Sequence, residues 1–367
     1  MFLKIIIYFL IITSCLNSNT SASEFKQALP GYKLVFPNDN ANHEDYKTEW
    51  WYYTGHLQTK SSKKYGFELT FFRQGISRDN SPTSNLDLNL KDVYITHFAI
   101  TDLNNHTFHF YQKLNRNNSN IALSSNSEFF VKNENWLAES LGKNFYISAN
   151  SKDFSLHLLL EPQKQPIIHG LNGVSQKGSK LGQASHYYSY SRLKATGLIF
   201  NGSSPERVSG LAWMDHEFGS NQLDAKQTGW DWVSIQLDNN YELMLYLMRN
   251  NDKTYDTNSS GTIIFPDGSY QHLKLSEFTI KTAKTWRSSR TNANYPSQWE
   301  INVPKYKISL TVIPEQADQE LVTTESTNIS YLEGSSKVNG KFDTKSVSGH
   351  AYVELTGYAK NINLKKL

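Results

Sequence analysis

The sequence has a single cysteine, Cys15, among 367 residues. An internal disulfide and a zinc site built from several thiolates are therefore both excluded. Charge is also sparse, because Asp, Glu, Lys and Arg make up 19% of the residues and the formal net charge is only +3. The basic side chains are scattered rather than clustered, which argues against nucleic acid as a partner.

Motifs for nucleotide binding and for common hydrolases are missing as well. No glycine-rich phosphate loop is followed by lysine and then serine or threonine. The segment Gly173–Gly178 is one residue too long for a nucleophile elbow. His106 and His109 lie three residues apart on a predicted strand, where they face opposite sides. We therefore predict neither a cofactor nor a metal ion.

Long apolar runs are absent except near the N-terminus, at Ile5–Ile12. This run has the size of a signal-peptide core, and the small residues that follow it lead into Cys15, as in a bacterial lipobox. We predict a lipoprotein signal peptide over residues 1–14, lipidation of Cys15 and a polar tether over residues 15–30. The protein would then be exported and lipid-anchored in the bacterial cell envelope, in the periplasm at the outer membrane. An ordinary secretory signal with an incidental cysteine is the alternative.

Aromatic residues, in contrast, are abundant, with 21 Tyr, 19 Phe and 8 Trp. Many short segments alternate apolar and polar side chains between turn residues, as Phe67–Phe72 and Ile308–Ile313 do, and this period is typical of β-strands. Only Ser276–Trp286 offers a weak helical pattern. The chain is therefore predicted to be all-β.

One segment of the chain returns in altered form later in the sequence. Thr48–Leu57 (TEWWYYTGHL) is echoed at Thr228–Leu237 (TGWDWVSIQL), 180 positions further on (228 − 48). Val208–Met214 (VSGLAWM) is echoed in the same order at Val347–Val353 (VSGHAYV). Such repetition indicates a duplicated β-unit. We predict two tandem lipocalin-like antiparallel β-barrel domains, over residues 31–222 and 223–367, because closed barrels remove exposed sheet edges and leave an interior for a ligand.

Five motifs make a family resemblance specific. They are Glu49–Gly55 (EWWYYTG), Ser185–Arg192 (SHYYSYSR), Gly210–Gly219 (GLAWMDHEFG), Gly229–Trp232 (GWDW) and Glu354–Tyr358 (ELTGY). They resemble the AttH family of exported bacterial proteins, which is related to carotenoid 1,2-hydratase (CrtC). The resemblance runs from about Leu34 to Ala359. It implies a two-domain lipocalin-like fold, and it leaves the activity open.

The most reactive segment is Asp215-His216-Glu217. On a strand, Asp215 and Glu217 share one face and His216 takes the other. Two carboxylates on an apolar face raise each other's pKa, which suits a general acid that protonates an alkene. The resemblance to the hydratases covers the Asp-His pair and the following Phe218 and Gly219, but the hydratases' remaining catalytic set has no counterpart downstream.

A purely structural role for this triplet is equally open. Asp215, His216 and Glu217 would then form a buried hydrogen-bonded cluster at the domain junction, with Arg192 or Arg249 as partner. Glu49 precedes a run of aromatic residues and also needs a partner, for which Arg73 and Arg192 are candidates.

Polar and aromatic residues near these motifs are the predicted ligand-binding set. We expect them to line an apolar cavity with a charged end where the two units meet. They are Glu49, Trp50, Tyr52, His97, His169, His186, Tyr188, Arg192, Trp213, Trp230 and Trp232.

The sequence therefore predicts an envelope lipoprotein that binds a hydrophobic small molecule, either a lipid or an isoprenoid. A hydratase-like or hydrolase-like enzyme that uses Asp215, His216 and Glu217 for acid–base catalysis is the first alternative. An accessory protein for the permease of an ABC transporter is the second. The membrane would be reached only through the N-terminal lipid anchor.

Overall fold

A computed structural model describes residues 25–76, 90–202, 204–221 and 223–361. The described part consists of antiparallel strands in two sheets, with three short 3₁₀ turns at Asn38–Asn40, Leu275–Glu277 and Pro304–Tyr306. The strands before Ser220 are β1 (Thr48–Thr59), β2 (Lys64–Gly75), β3 (Asp92–Asp102), β4 (Thr107–Arg116), β5 (Ala122–Ser124), β6 (Phe130–Asn133), β7 (Trp136–Leu141), β8 (Asn144–Asn150), β9 (Ser155–Pro162), β10 (Ile167–Ile168), β11 (Ser175–Gln176), β12 (Ala184–Phe200) and β13 (Glu206–Gly219).

The second sheet takes all of the remaining strands. They are β14 (Gln227–Leu237), β15 (Glu242–Asn250), β16 (Ser260–Ile264), β17 (Tyr270–Lys274), β18 (Thr279–Arg287), β19 (Asn294–Val303), β20 (Ile308–Pro314), β21 (Glu320–Thr323), β22 (Ile329–Phe342) and β23 (Lys345–Leu355).

The first sheet curls into a nearly closed barrel, here called unit 1. Its order is β4-β3-β2-β1-β13-β12-β9-β8-β7-β6-β5, with β10 and β11 added beside β12. The two ends of the sheet meet where Asn115 on β4 donates a hydrogen bond to Asn133 on β6, at 2.8 Å. Alternate side chains point inward and form a continuous core that includes Trp51, Phe98 and Trp136.

The second sheet, unit 2, is a half-barrel with the order β17-β16-β15-β14-β23-β22-β20-β19-β18, and β21 pairs with β22. Its own core includes Leu245, Trp299 and Val353. The fold class predicted from the sequence, all-β with two antiparallel barrel units, is confirmed. Unit 1 ends its last strand at Gly219, and unit 2 begins its first strand at Gln227.

The strand register of the two units shows the same duplication as the sequence. In unit 1, Tyr53 on β1 lies between Met214 on β13 and Leu69 on β2. In unit 2, the echoed position Val233 on β14 lies between Val353 on β23 and Leu245 on β15. The sequence echo pairs Met214 with Val353, so both units use the same register. β1, β2 and β13 of unit 1 therefore correspond to β14, β15 and β23 of unit 2.

Two segments differ in structure from the sequence patterns. The weak helix predicted at Ser276–Trp286 is wrong. Most of this segment forms strand β18, which pairs with β19. Pairing across the sheet thus overrides a weak local preference. Residues 25–30, taken as the end of the tether, pack on unit 1. Ala28 is fully buried, and Lys26 binds Asp45.

The outer faces of β1, β13 and β12 pack against the outer faces of β14, β15 and β23. Aromatic and methionine side chains fill this interface, among them Tyr52, Trp213, Trp232 and Met244. Direct hydrogen bonds cross it, including Gln236 to the backbone carbonyls of Ser191 and Ala212. Within the described residues, no helix has the length and apolar character needed to span a bilayer. Cys15 and the predicted signal peptide lie outside the described residues.

Candidate functional site

Strands β1 and β13 divide the predicted site into two groups, because successive side chains of a strand point to opposite faces. Glu49 and His216 point into the barrel of unit 1. Tyr52 and Asp215, which are register partners, point out of the barrel toward unit 2. The predicted split of the Asp215-His216-Glu217 triplet between two faces is confirmed.

The group inside the barrel is a closed ion-pair network. Arg73 donates to the Glu49 carboxylate at 3.1 Å and to Asp92 at 2.8 Å, and its side chain is fully buried. His216 contacts Glu49 through Nε2 at 2.8 Å and the Tyr188 hydroxyl through Nδ1 at 2.8 Å. Of the two partners predicted for Glu49, Arg73 is therefore the one that binds it.

The N-terminal segment completes this network. His43 contacts Glu49 through Nδ1 and Asp39 through Nε2, each at 2.9 Å. Burial raises the pKa of Glu49, but hydrogen bonds from His216 and His43 and the charge of Arg73 outweigh it, so the pKa lies well below its usual range. The donor atoms of His43, Glu49 and His216 lie within 4.8 Å of one another. Since every ring nitrogen is already hydrogen-bonded, the network fits a structural role better than metal binding.

The group facing unit 2 centres on Asp215, whose side chain is buried. Tyr187 donates to its carboxylate at 2.6 Å and the Trp213 indole at 2.5 Å, and Ser189 donates a third hydrogen bond. Burial raises the pKa of Asp215 to about 7, although these three donors oppose the shift and the charge of Glu217 adds to it. The carboxyl group can therefore exchange a proton near neutral pH.

Glu217 lies on the same face and has a cationic partner. Lys177 approaches its carboxylate at 3.1 Å, and Ser185 donates a hydrogen bond to it. The Lys177 ammonium group also lies 4.9 Å from the ring centre of Tyr187 and 4.2 Å from that of Tyr246. Burial lowers the pKa of Lys177, but the neighbouring charge of Glu217 outweighs it, so the pKa is raised and the ammonium stays charged.

Unit 2 contributes more carboxyl groups to the same interface. Glu354 accepts a hydrogen bond from the Trp230 indole at 3.0 Å, and burial raises its pKa to about 7. Glu333 accepts one from the Tyr52 hydroxyl at 2.8 Å, and burial and the charge of Glu354 raise its pKa. The interface therefore concentrates acidic groups, and burial raises the pKa of Asp215, Glu333 and Glu354.

Other predicted ligand residues also lie at this interface, but they are hydrogen-bonded across it. His169 contacts Thr262 through Nδ1 at 2.8 Å and Ser189 through Nε2 at 2.6 Å. Trp232 donates to the Tyr187 hydroxyl at 3.0 Å. Trp50, the register partner of Glu217, packs at the edge of the same aromatic cluster.

The remaining predicted residues lie elsewhere. His97 contacts the Tyr331 hydroxyl at 2.6 Å on the β3 side of the interface, and burial lowers its pKa to about 3. Arg192 binds Glu242 of unit 2 rather than the triplet. His186 donates a hydrogen bond through Nδ1 to the Gly173 carbonyl at 2.6 Å and stacks on Tyr32, with ring centres 4.4 Å apart.

A cleft of about 780 Å³ opens beside the C-terminal end of β1 and the N-terminal end of β13. Leu211, which lines it, precedes Asp215 by four residues on β13. Unit 1 supplies most of its wall, and unit 2 supplies Glu315 and His350. None of the residues predicted to bind a ligand lines it. Its apolar wall consists of Leu57, Leu103, Leu198 and Leu211.

The model of the AttH-like family matches residues 27–358. This chain belongs to the AttH-like family. The resemblance of the five sequence motifs is thereby confirmed. A crystal structure of an AttH protein from Nitrosomonas europaea is 31% identical, with a TM-score of 0.82, and the alignment covers 91% of this chain and 99% of that one. No curated protein matches the sequence.

Two more distant structures share the fold of this AttH-like chain. Kievitone hydratase from Nectria haematococca is 15% identical, with a TM-score of 0.70, over 92% of this chain and 98% of that one. CghA, whose structure was solved with Sch210972, is 11% identical, with a TM-score of 0.56, over 93% of this chain and 98% of that one. At these identities the likeness concerns the fold alone.

Sequence reasoning missed the acidic groups of unit 2 in this AttH-like chain, Glu333 and Glu354. The signal for Glu354 was present, because the echo of Val208–Met214 at Val347–Val353 continues by one residue to align Asp215 with Glu354. Nothing comparable marked Lys177, which lies in the loop after β11 and reaches Glu217 only in the folded structure. Together these groups can hold, donate and accept protons in an aromatic environment.

Proposed function

We propose that this AttH-like protein binds a hydrophobic small molecule, a lipid or an isoprenoid, in the cleft between its two units. The volume of about 780 Å³ is the observation that carries the proposal, since ligand sites usually measure about 300–1,000 Å³ and are largely apolar. Leu57, Leu103, Leu198 and Leu211 supply the apolar surface. Leu198 is 39% exposed, so a ligand would cover apolar surface that now faces solvent.

The charge of the cleft favours a ligand with an anionic group. Lys60, Lys64 and Arg207 line it, and among the described residues of its wall Glu315 is the only carboxylate. An anionic head group would be attracted to these cations while its chain covers the leucines. The attraction between exposed charges weakens as salt concentration rises.

Binding of a long-chain fatty acid, with the alcohol of the same chain length as the uncharged control, tests this proposal by calorimetry. The acid is expected to bind more tightly than the alcohol, and the difference should shrink in high salt. Leu198→Asp should weaken binding of the acid by at least about tenfold. Leu181→Asp is the matched control, because Leu181 is 72% exposed and lies outside the cleft. Equal binding by wild type and Leu198→Asp would exclude the cleft as the site.

A second candidate function is acid–base catalysis of the hydratase type, and the raised pKa of Asp215 specifically favours it. In this reaction the Asp215 carboxyl gives its proton to one carbon of a C=C bond. Indole faces such as those of Trp213 and Trp232 stabilise the carbocation that forms on the other carbon. Water adds to that carbon, and the proton it loses returns to the Asp215 carboxylate.

Incubation with an acyclic isoprenoid alkene in H₂¹⁸O, followed by mass spectrometry, tests the catalytic proposal. A hydrated product carrying ¹⁸O is expected from the wild type and from Asp224→Asn, which alters an exposed carboxylate near the interface. Asp215→Asn should give no product while its fold is retained. Product formation at the wild-type rate by Asp215→Asn would refute the role of Asp215.

Our proposals for the location and partners of the protein rest on its sequence alone. We propose lipidation at Cys15 and attachment to the bacterial cell envelope, with the permease of an ABC transporter as a third, interaction-based role. Affinity capture of the membrane-anchored protein after cross-linking tests that role. Repeated recovery of the protein without a permease component would count against it.

A further inference from the structure

Three side chains from distant parts of the sequence converge beside the cleft. His56 lies on β1 of unit 1, His350 lies on β23 of unit 2, and Glu315 follows the end of β20. The two imidazole rings lie with their centres 4.5 Å apart. One donor atom from each of the three residues lies within 4.8 Å of the other two. Both histidines and Glu315 also line the cleft.

Two ring nitrogens in this cluster are buried and have no hydrogen-bond partner. They are Nε2 of His56 and Nδ1 of His350. A neutral imidazole has one nitrogen with a free lone pair, and an unpartnered nitrogen can offer that lone pair to a metal ion. Leaving such buried atoms unpaired is unfavourable, and a bound metal ion would remove that cost.

A hydrogen bond from a neighbouring side chain orients the carboxylate of Glu315, as is usual for carboxylates that bind metal ions. Ser335 donates a hydrogen bond to its Oε2 at 2.6 Å. Oε2 lies 3.9 Å from Nε2 of His56, and the Glu315 side chain is 3% exposed.

We propose that His56, His350 and Glu315 bind one divalent transition-metal ion, with Zn²⁺ the best match. Two imidazoles and one carboxylate are a known ligand set for Zn²⁺, and ligand bonds of about 2.0–2.1 Å in a tetrahedron place donor atoms roughly 3.3 Å apart. The observed 3.9 Å between His56 and Glu315 needs only a small side-chain movement. The fourth position would face the cleft and would hold water or an oxygen atom of a ligand.

The cluster inside the barrel shows why the proposal applies to one histidine pair and not the other. His43 and His216 also share a carboxylate, that of Glu49, yet both nitrogens of each ring already have partners. His56 and His350 each keep an unpartnered nitrogen. Of these two clusters in the described part of the chain, the one beside the cleft therefore offers free lone pairs to a metal ion.

Calorimetric titration of the chelator-treated full chain with Zn²⁺ tests the site. One Zn²⁺ per chain is expected for the wild type and for the control variant His109→Ala. His109 lies on β4 and is hydrogen-bonded to Thr107. His56→Ala and His350→Ala should each weaken binding by roughly 100-fold, and Ser335→Ala by roughly tenfold through misorientation of Glu315. Unchanged Zn²⁺ affinity in either histidine variant would overturn the proposal.

Three further measurements keep the test independent of folding and of the proposed cleft ligand. Lys337 lies 3.6 Å from Glu315 and is about half exposed, so Lys337→Met should tighten Zn²⁺ binding by removing a competing positive charge. Co²⁺ bound to the wild type should give the intense visible bands of tetrahedral coordination, and His350→Ala should lose them. Binding of the fatty acid to the chelator-treated wild type is measured separately, so a failed metal site and a failed ligand cleft are distinguishable.

Discussion

Asp215 and Glu354 occupy equivalent positions in the two units. Asp215 pairs in register with Tyr52, and Glu354 pairs with Trp232, the echoed position on β14. Each carboxyl group accepts a hydrogen bond from an indole, Asp215 from Trp213 and Glu354 from Trp230. Burial raises the pKa of both to about 7. The duplication has thus placed two proton-bearing acids face to face across the interface between the units.

The raised pKa of Asp215 predicts how stability depends on pH. The folded state holds this proton up to about pH 7, whereas an unfolded aspartate releases it near pH 4. The stabilising contribution is therefore complete below about pH 4 and is lost as pH rises to about 7, by about 1.4 kcal/mol for each pH unit. Urea unfolding of Asp215→Asn should show a shallower fall in stability over this range than the wild type. An identical fall in both proteins would contradict the assignment, and Asp224→Asn should behave like the wild type.

Lys177 should matter more at alkaline than at acidic pH. Lys177→Met leaves the Glu217 carboxylate buried without its cation, which costs about 3–5 kcal/mol when the carboxylate is charged. The charge of Asp215 also acts on Lys177, and because burial raises the pKa of Asp215 to about 7, that second negative charge is present at about pH 8 and largely absent at about pH 5. We expect thermal unfolding to show a large loss of stability at about pH 8 and a smaller one at about pH 5.

Two control variants accompany the Lys177 prediction. Lys180→Met removes an exposed lysine from the same loop and should unfold like the wild type. The double variant Lys177→Met/Glu217→Gln should recover most of the stability, because no unpaired charge remains. A double variant as unstable as Lys177→Met alone would show that Lys177 acts through packing and not through Glu217.

The network inside the barrel predicts a purely structural effect. Arg73→Met leaves the carboxylates of Glu49 and Asp92 without their shared cation, so stability should fall by about 3–5 kcal/mol in urea unfolding. Lys26→Ala removes an ion pair with Asp45 whose side chains are 65% and 58% exposed, and it should cause no measurable change. Similar losses in both variants would contradict the special role of the buried network.

Lipidation of Cys15 predicts that replacing this one residue releases the protein from the membrane. In bacteria that express the full chain, radiolabelled palmitate should be incorporated into the wild type and not into Cys15→Ser. The wild type should sediment with the membranes, whereas Cys15→Ser should not. Labelling of both proteins, or of neither, would show that Cys15 carries no lipid.

Alternation, the internal echoes and the family resemblance predicted the fold, and alternation predicted the faces of the key strands. The alternation through Asp215, His216 and Glu217 separated the two clusters, and the echo of the β1 segment in β14 located the second unit. The sequence could not identify contacts made by residues far apart in the chain, such as Lys177 with Glu217 or Tyr52 with Glu333. These pairs depend on how the units pack, and no local pattern encodes that packing.

Helical and loop segments were harder to predict for a related reason. The residues of Ser276–Trp286 have a weak helical period, but their pairing with β19 determines the strand. The cleft escaped prediction because its wall combines the ends of several strands with Glu315 and His350 of unit 2. The aromatic motifs led to a predicted ligand site at the interface between the units, which is packed. The cleft is instead lined by leucine and lysine side chains.

A crystal structure of the full chain with a bound long-chain fatty acid tests the central claim most directly. The cleft hypothesis predicts a chain that lies along Leu198 and Leu211, with its carboxylate beside Lys60, Lys64 or Arg207. A fatty acid bound at another place, with the cleft filled only by solvent, would contradict it.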